Sequence, residues 1–172
     1  GISFYHSSFH TIVNVEHPEC RDVNAILEDR EGNIWLGTDG NGLFLKENGK
    51  EGKIRRLPVQ SNVIVSLLED RKGRIWIGTY MDGLYCYEDG KFTHFTKDNS
   101  RLAADNIWNL KQDRYGNLWI GTLAGGIQYL REEHENLDSL VTVCEEMQHP
   151  MDFFYDHGDK LYIGTVYGLY VV

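Results

Sequence analysis

The chain has 172 residues, 41% of them hydrophobic, and a formal net charge of −9 from 26 acidic and 17 basic side chains. That balance argues against nucleic acid and anionic membrane surfaces as partners, because a surface that binds phosphates needs clustered cations. No apolar run reaches the roughly 18 residues of a membrane helix, and the three cysteines, Cys20, Cys86 and Cys144, are too scattered for a disulfide framework or a zinc pattern.

Residues 1–5 (GISFY) and 9–12 read as two short strands. Residues 23–27 (VNAIL) then form a nearly continuous apolar run, which predicts a strand buried on both faces. Asp29-x-x-Gly32 follows as a hairpin turn: an Asp side chain bonds the backbone two residues on, and Gly accepts positive φ. Too few oxygen ligands are present for a metal loop. Residues 34–38 (IWLGT) make the second strand, with Trp35 and Gly37 on one face as a wide ring beside a gap. After Thr38 the chain turns through Asp39, Gly40, Asn41 and Gly42 into a third run at 43–45. A weaker fourth run at 54–57 carries Arg55 and Arg56, as an exposed outer edge does.

The same pattern then recurs. SLLEDRKGRIWIGTYMDGLY spans residues 66–85, NLKQDRYGNLWIGTLAGGIQ spans 109–128, and a degenerate copy spans 152–170. The aligned Asp29, Asp70, Asp113 and Asp156 lie 41, 43 and 43 residues apart. Gly32, Trp35 and Gly37 have counterparts in Gly73, Trp76 and Gly78, then in Gly116, Trp119 and Gly121. Tyr162 replaces Trp in the last copy, where His157, Gly158 and Asp159 shift or shorten the turn. A Trp repeated in mid-strand reads as core and not as a platform for ligands.

Four antiparallel strands in about 40–45 residues is the pattern of a β-propeller blade, of which typically 4–8 close a ring. The expected fold is therefore all-β: a propeller arc of about four blades with an incomplete ring. By phase of the repeat, residues 1–20 hold the trailing strands of one blade. Residues 21–60, 61–103 and 104–148 hold three whole blades, and 149–172 hold the leading strands of a last one. Exposed apolar end faces predict association of an isolated arc, for instance as a homodimer.

The seven histidines form no pair at zinc-site spacing, and they read as surface or turn residues. No nucleophile elbow, phosphate loop or metalloprotease helix is present, so no catalytic residue, metal or cofactor is expected. Acidic pairs such as Glu28-Asp29 recur with the repeat and mark architecture. Specificity belongs in loops where the copies disagree. After the second strand these carry Asp39 and Asn41, then Tyr80, Met81 and Asp82, and finally Tyr167; before the first strand they carry Asn99 and Arg101, and then residues 145–149. Polar groups beside Tyr80 and Tyr167 suit a neutral or weakly charged polyhydroxylated ligand.

Residues 27–38 (LEDREGNIWLGT), the Gly-Leu-Phe or Gly-Leu-Tyr that follows the turn, and residues 87–96 (YEDGKFTHFT) resemble the two-component regulator propeller repeat. The resemblance implies the periplasmic sensor region of an inner-membrane hybrid histidine kinase of Bacteroides-type bacteria. It implies an oligosaccharide ligand, further propeller blades of the same receptor as partners, and a kinase elsewhere in the protein. A propeller lyase or hydrolase, or a passive dimerisation scaffold, are the alternatives.

Overall fold

Each apolar run of the repeat becomes a strand, and each turn motif closes a hairpin. A computed structural model describes residues 2–6, 11–15, 17, 19–49, 53–134, 137–144, 150–155 and 160–171. Strands β1 (Ile2–His6) and β2 (Thr11–Val15) form a two-stranded antiparallel sheet. Three four-stranded meanders follow. The first is β3 (Val23–Glu28), β4 (Ile34–Thr38), β5 (Leu43–Lys46) and β6 (Ile54–Arg56). The second is β7 (Ile64–Glu69), β8 (Ile75–Thr79), β9 (Leu84–Glu88) and β10 (Lys91–Phe95). The third is β11 (Ile107–Gln112), β12 (Leu118–Thr122), β13 (Gly126–Leu130) and β14 (Val141–Cys144), with a 3-10 turn at Leu137–Ser139. A three-stranded sheet of β15 (Pro150–Tyr155), β16 (Leu161–Thr165) and β17 (Gly168–Val171) ends the described chain. Among the described residues all strand pairings are antiparallel, and the sheets do not close into a ring.

Neighbouring blades meet through their first strands, β3 on β7, β7 on β11 and β11 on β15. The hydrophobic core accordingly lies between blades. Trp35, Leu43 and Leu45 of the first blade pack with Ile64, Ile75 and Ile77 of the second. Trp76, Leu84 and Cys86 of the second pack with Ile107, Leu118 and Ile120 of the third. A single antiparallel sheet has no interior, so it buries its apolar face only against another layer. Gly37 and Gly78 make that approach possible: a Cβ on Gly37 would sit 2.6 Å from Ile64 Cγ2, and one on Gly78 would sit 2.9 Å from Ile107 Cγ2.

The Asp of the turn binds more than its own hairpin. Asp29 Oδ1 accepts from the backbone N–H groups of Glu31 and Asn33, and its Oδ2 accepts from Asn33 Nδ2 and from the Trp35 indole at 2.8 Å. Asp70 repeats this with Arg74 in place of the Asn, and Asp113 with Asn117 and Trp119. The Asp-to-Trp column is thus one polar network that satisfies each core indole. Burial raises the Asp29 carboxyl pKa, but the bonds from Trp35, Asn33 and Glu31 outweigh it and hold the group below the ordinary aspartate range. A carboxyl depressed on folding adds stability that is complete above the unfolded value, about 3.9, and is lost as pH falls through the folded one. Asp29→Asn is therefore expected to flatten the loss of stability below about pH 4. Urea midpoints at neutral and acid pH test this, and an unchanged acid slope would contradict it.

One expectation needs correction. The innermost strand β3 is not buried on both faces: Val23, Ala25 and Leu27 are half-buried, while Asn24, Glu28 and Ile26, the last 62% exposed, are open to solvent. The basic pair Arg55 and Arg56 is exposed on the outer strand, as expected, and Arg56 has a second role. Arg56 donates to the Asn41 carbonyl and to Asn62 Oδ1, both at 2.9 Å, and so ties the loop after β4 to the one before β7. Between blades, Arg30 reaches Glu69 and the Asp70 carbonyl, and Arg71 reaches Gln112 and the Arg114 carbonyl.

Candidate functional site

The loops after β4, β8 and β12 are held by a repeated set of hydrogen bonds. Thr38, Thr79 and Thr122 are fully buried, and each hydroxyl donates to the carbonyl of the Gly that ends its loop. Each also accepts a backbone N–H from inside the loop, from Asn41, Asp82 and Gly125 respectively. The residue after each Thr is anchored by its own N–H: Asp39 to the Asp22 carbonyl, Tyr80 to Val63, and Leu123 to Asn106. These bonds bring the loops after second strands and before first strands to one end of the sheets.

The first strands contribute a second repeated feature. Val23 pairs with Thr38 and Ala25 with Gly37, so Asn24 is an extra residue, a β-bulge. The same slip occurs at Val65, Trp108 and Met151. A bulge leaves its extra residue unpaired and re-aims it relative to the ladder. Asn24, Val65 and Trp108 line one groove of about 600 Å³ together with Asp39, Val63 and Tyr80. It spans three blades and holds two aromatic rings, an amide and a carboxylate, and no cation lines it among the described residues.

The loop residues singled out by sequence are divided by this geometry. Asp39 and Tyr80 share the groove. Asn41 sits in the same loop as Asp39, with its backbone committed to Thr38 and Arg56. Met81 stands at the tip of the next loop with φ 67° and 67% exposure. Asp82 turns toward its own blade, where its Oδ2 accepts from the Tyr85 hydroxyl at 2.7 Å. Burial and then this bond raise the Tyr85 pKa, so the hydroxyl keeps its proton. His94 stacks on the Tyr85 ring at 4.0 Å and contacts the Asp82 carbonyl, so it braces this loop as well as lying on an outer strand. Asn99 is a turn residue, bonded to the Thr96 N–H and the His94 carbonyl. Arg101 lies at a separate recess with Leu102, Ala103 and Gln128, and Tyr167 is 78% exposed on the last hairpin. Residues 145–149 and 156–159 lie outside the described residues.

Trp108 and Asn24 were missed by the sequence reading. The signal was present: three of the four tryptophans occupy the repeat column and Trp108 does not. Among the described residues no group of three or more His, Cys, Asp or Glu side chains could hold a metal ion, and no helix is long and apolar enough to cross a membrane.

The two-component regulator propeller family matches the sequence at residues 19–40, 58–81 and 101–124, in each case a first strand, its turn and its second strand. No curated protein matches. The extracellular domain of a hybrid two-component system from B. thetaiotaomicron superposes with a TM-score of 0.71 at 22% identity, over 92% of this chain and 23% of that one. The extracellular domain of a one-component system from the same organism gives 0.72 at 16%, over 99% and 25%. Virginiamycin B lyase from Staphylococcus aureus gives 0.65 at 12%, over 93% and 57%. At these identities the likeness is one of fold, and the chain spans about a quarter of the length of the first two structures.

Proposed function

We propose, from the match of residues 19–40, 58–81 and 101–124 to the two-component regulator propeller family, that this chain is a ligand-sensing segment of the extracytoplasmic part of a two-component sensor, periplasmic and without catalysis of its own. The ligand is an oligosaccharide, and further blades of the same receptor complete the disc. The observation that carries this reading is the groove of Asn24, Asp39, Tyr80 and Trp108, where aromatic faces and polar side chains converge from three blades. Ligand sites are concave, with a few polar groups placed among apolar walls. Signalling follows if the ligand has different affinities for two arrangements of the receptor, since equal affinity shifts nothing.

The lyase among the structural neighbours lends no chemistry, because function resides in sites and not in folds. Among the described residues the groove has one carboxylate and no histidine or cysteine lining it. Calorimetric titration of the complete extracytoplasmic region with a panel of oligosaccharides tests the proposal. Saturable binding without turnover is the expected result. Binding followed by cleavage would redirect the reading to an enzyme, and no binding across the panel would overturn it.

A further inference from the structure

We infer that the β-bulge of each innermost strand is the position where this propeller sets its specificity, and that the bulge residues of this chain select an uncharged sugar ring stacked on Trp108. This rests on the sensing proposal above and names its ligand class and recognition residues.

Three observations carry it. The first is freedom from architecture. The residues flanking each bulge are committed: Ile64 and Ile107 fill the gaps at Gly37 and Gly78, and the paired Thr38, Thr79 and Thr122 hold the loops. The bulge residue alone is outside the ladder, so its side chain changes without breaking a pair. The chain places Asn24, Val65, Trp108 and Met151 there, four different chemistries in four copies.

The second is the state of the polar groups. The indoles of Trp35, Trp76 and Trp119 each donate to an aspartate. Among the described residues the Trp108 indole N–H has no such acceptor, and the side chains of Asn24, Asp39 and Tyr80 make no hydrogen bond either. By contrast, the nearby Asp82 and Asn99 are consumed by their own turns. The groove therefore holds donors and acceptors that the fold does not use.

The third is charge. Among the described residues Asp39 is the sole carboxylate lining the groove and no Lys, Arg or His lines it, and the whole chain carries −9. A uronate or sulfated sugar would bring a second anion there without a cation to pair it, which disfavours it. An uncharged ring offers a C–H face to the indole and hydroxyls to Asn24, Asp39 and Tyr80.

The test titrates the complete extracytoplasmic region with maltohexaose, galactohexaose and arabinohexaose as neutral probes and with pentagalacturonate as the acidic one. A neutral probe is expected to bind. Trp108→Ala should weaken it about tenfold or more while Trp108→Phe retains most of the affinity. Asn24→Ala should weaken it less, and Asp39→Asn should admit the galacturonate. Circular dichroism confirms folding of each variant. Equal affinity of wild type and Trp108→Ala for a neutral probe would overturn the bulge assignment while leaving the sensing proposal intact. Galacturonate bound as tightly as the neutral probes would overturn the charge selection. No binding by any probe would remove the sensing proposal and this inference with it.

Discussion

Replacing Asp70 by alanine is expected to cost about 3–5 kcal/mol of folding stability, the range for removing one member of a buried ion pair. Asp70 is 2% exposed and Arg74 is 7% exposed. The Asp70 carboxylate accepts from Arg74 Nε at 2.7 Å, the Trp76 indole at 2.8 Å, and the backbone N–H groups of Lys72 and Arg74 at 2.9 and 3.0 Å. Its loss leaves a buried guanidinium and a buried indole without their acceptor. Asp113 provides the comparison, because its partners Asn117 and Trp119 are neutral. Asp113→Ala should cost about 1–3 kcal/mol, the penalty of unsatisfied uncharged donors. Urea unfolding of both variants at matched m-values measures the difference. Equal losses at the two sites would show that the Arg74 charge adds nothing.

Gly78→Ala is expected to destabilise by about 1–3 kcal/mol, as overpacking does in a filled core. The new Cβ would contact Ser66 Oγ, lie 2.9 Å from Ile107 Cγ2, and lie 3.2 Å from the Ile107 carbonyl oxygen. The last is backbone of the next blade and cannot rotate away. Part of the clash is removable. Ser66 Oγ is buried with no hydrogen-bond partner among the described residues, so Ser66→Ala alone should cost little. Combined with Gly78→Ala it should recover part of the loss, giving a coupling of about 0.5 kcal/mol or more. The first blade already uses that pair, Ala25 opposite Gly37. Strict additivity in the double-mutant cycle would place the effect elsewhere than at this contact.

Both variants probe residues whose importance is visible in the repeat. Their partners are not. The recurrence of Asp29, Gly32, Trp35 and Gly37 at a fixed period shows that they are architectural, yet the bond from each Trp indole to its Asp joins residues six apart across a hairpin. Alternation and turn chemistry place both on the same hairpin, but only the register brings the indole to the carboxylate. The buried Thr38 and its copies were likewise legible as a column and silent as to role, since a hydroxyl's partner depends on the shape of the loop it closes. The loop residues divided for the same reason: Asp82 and Asn99 are spent within their own turns, whereas Asp39 and Tyr80 face the groove.

The blade was legible before any coordinates: its strands, its turns, its period and its all-β class follow from local alternation, glycine and aspartate turn chemistry, and recurrence. Where the groove lies, and which residues line it, follows from packing between blades. Asn24, Val65 and Trp108 are separated by 41 and 43 residues, and each is an unpaired bulge that no two-residue period anticipates. Their meeting depends on the stacking of first strands against one another, and that is set by the close approach at Gly37 and Gly78, a contact between blades and not a property of any one of them.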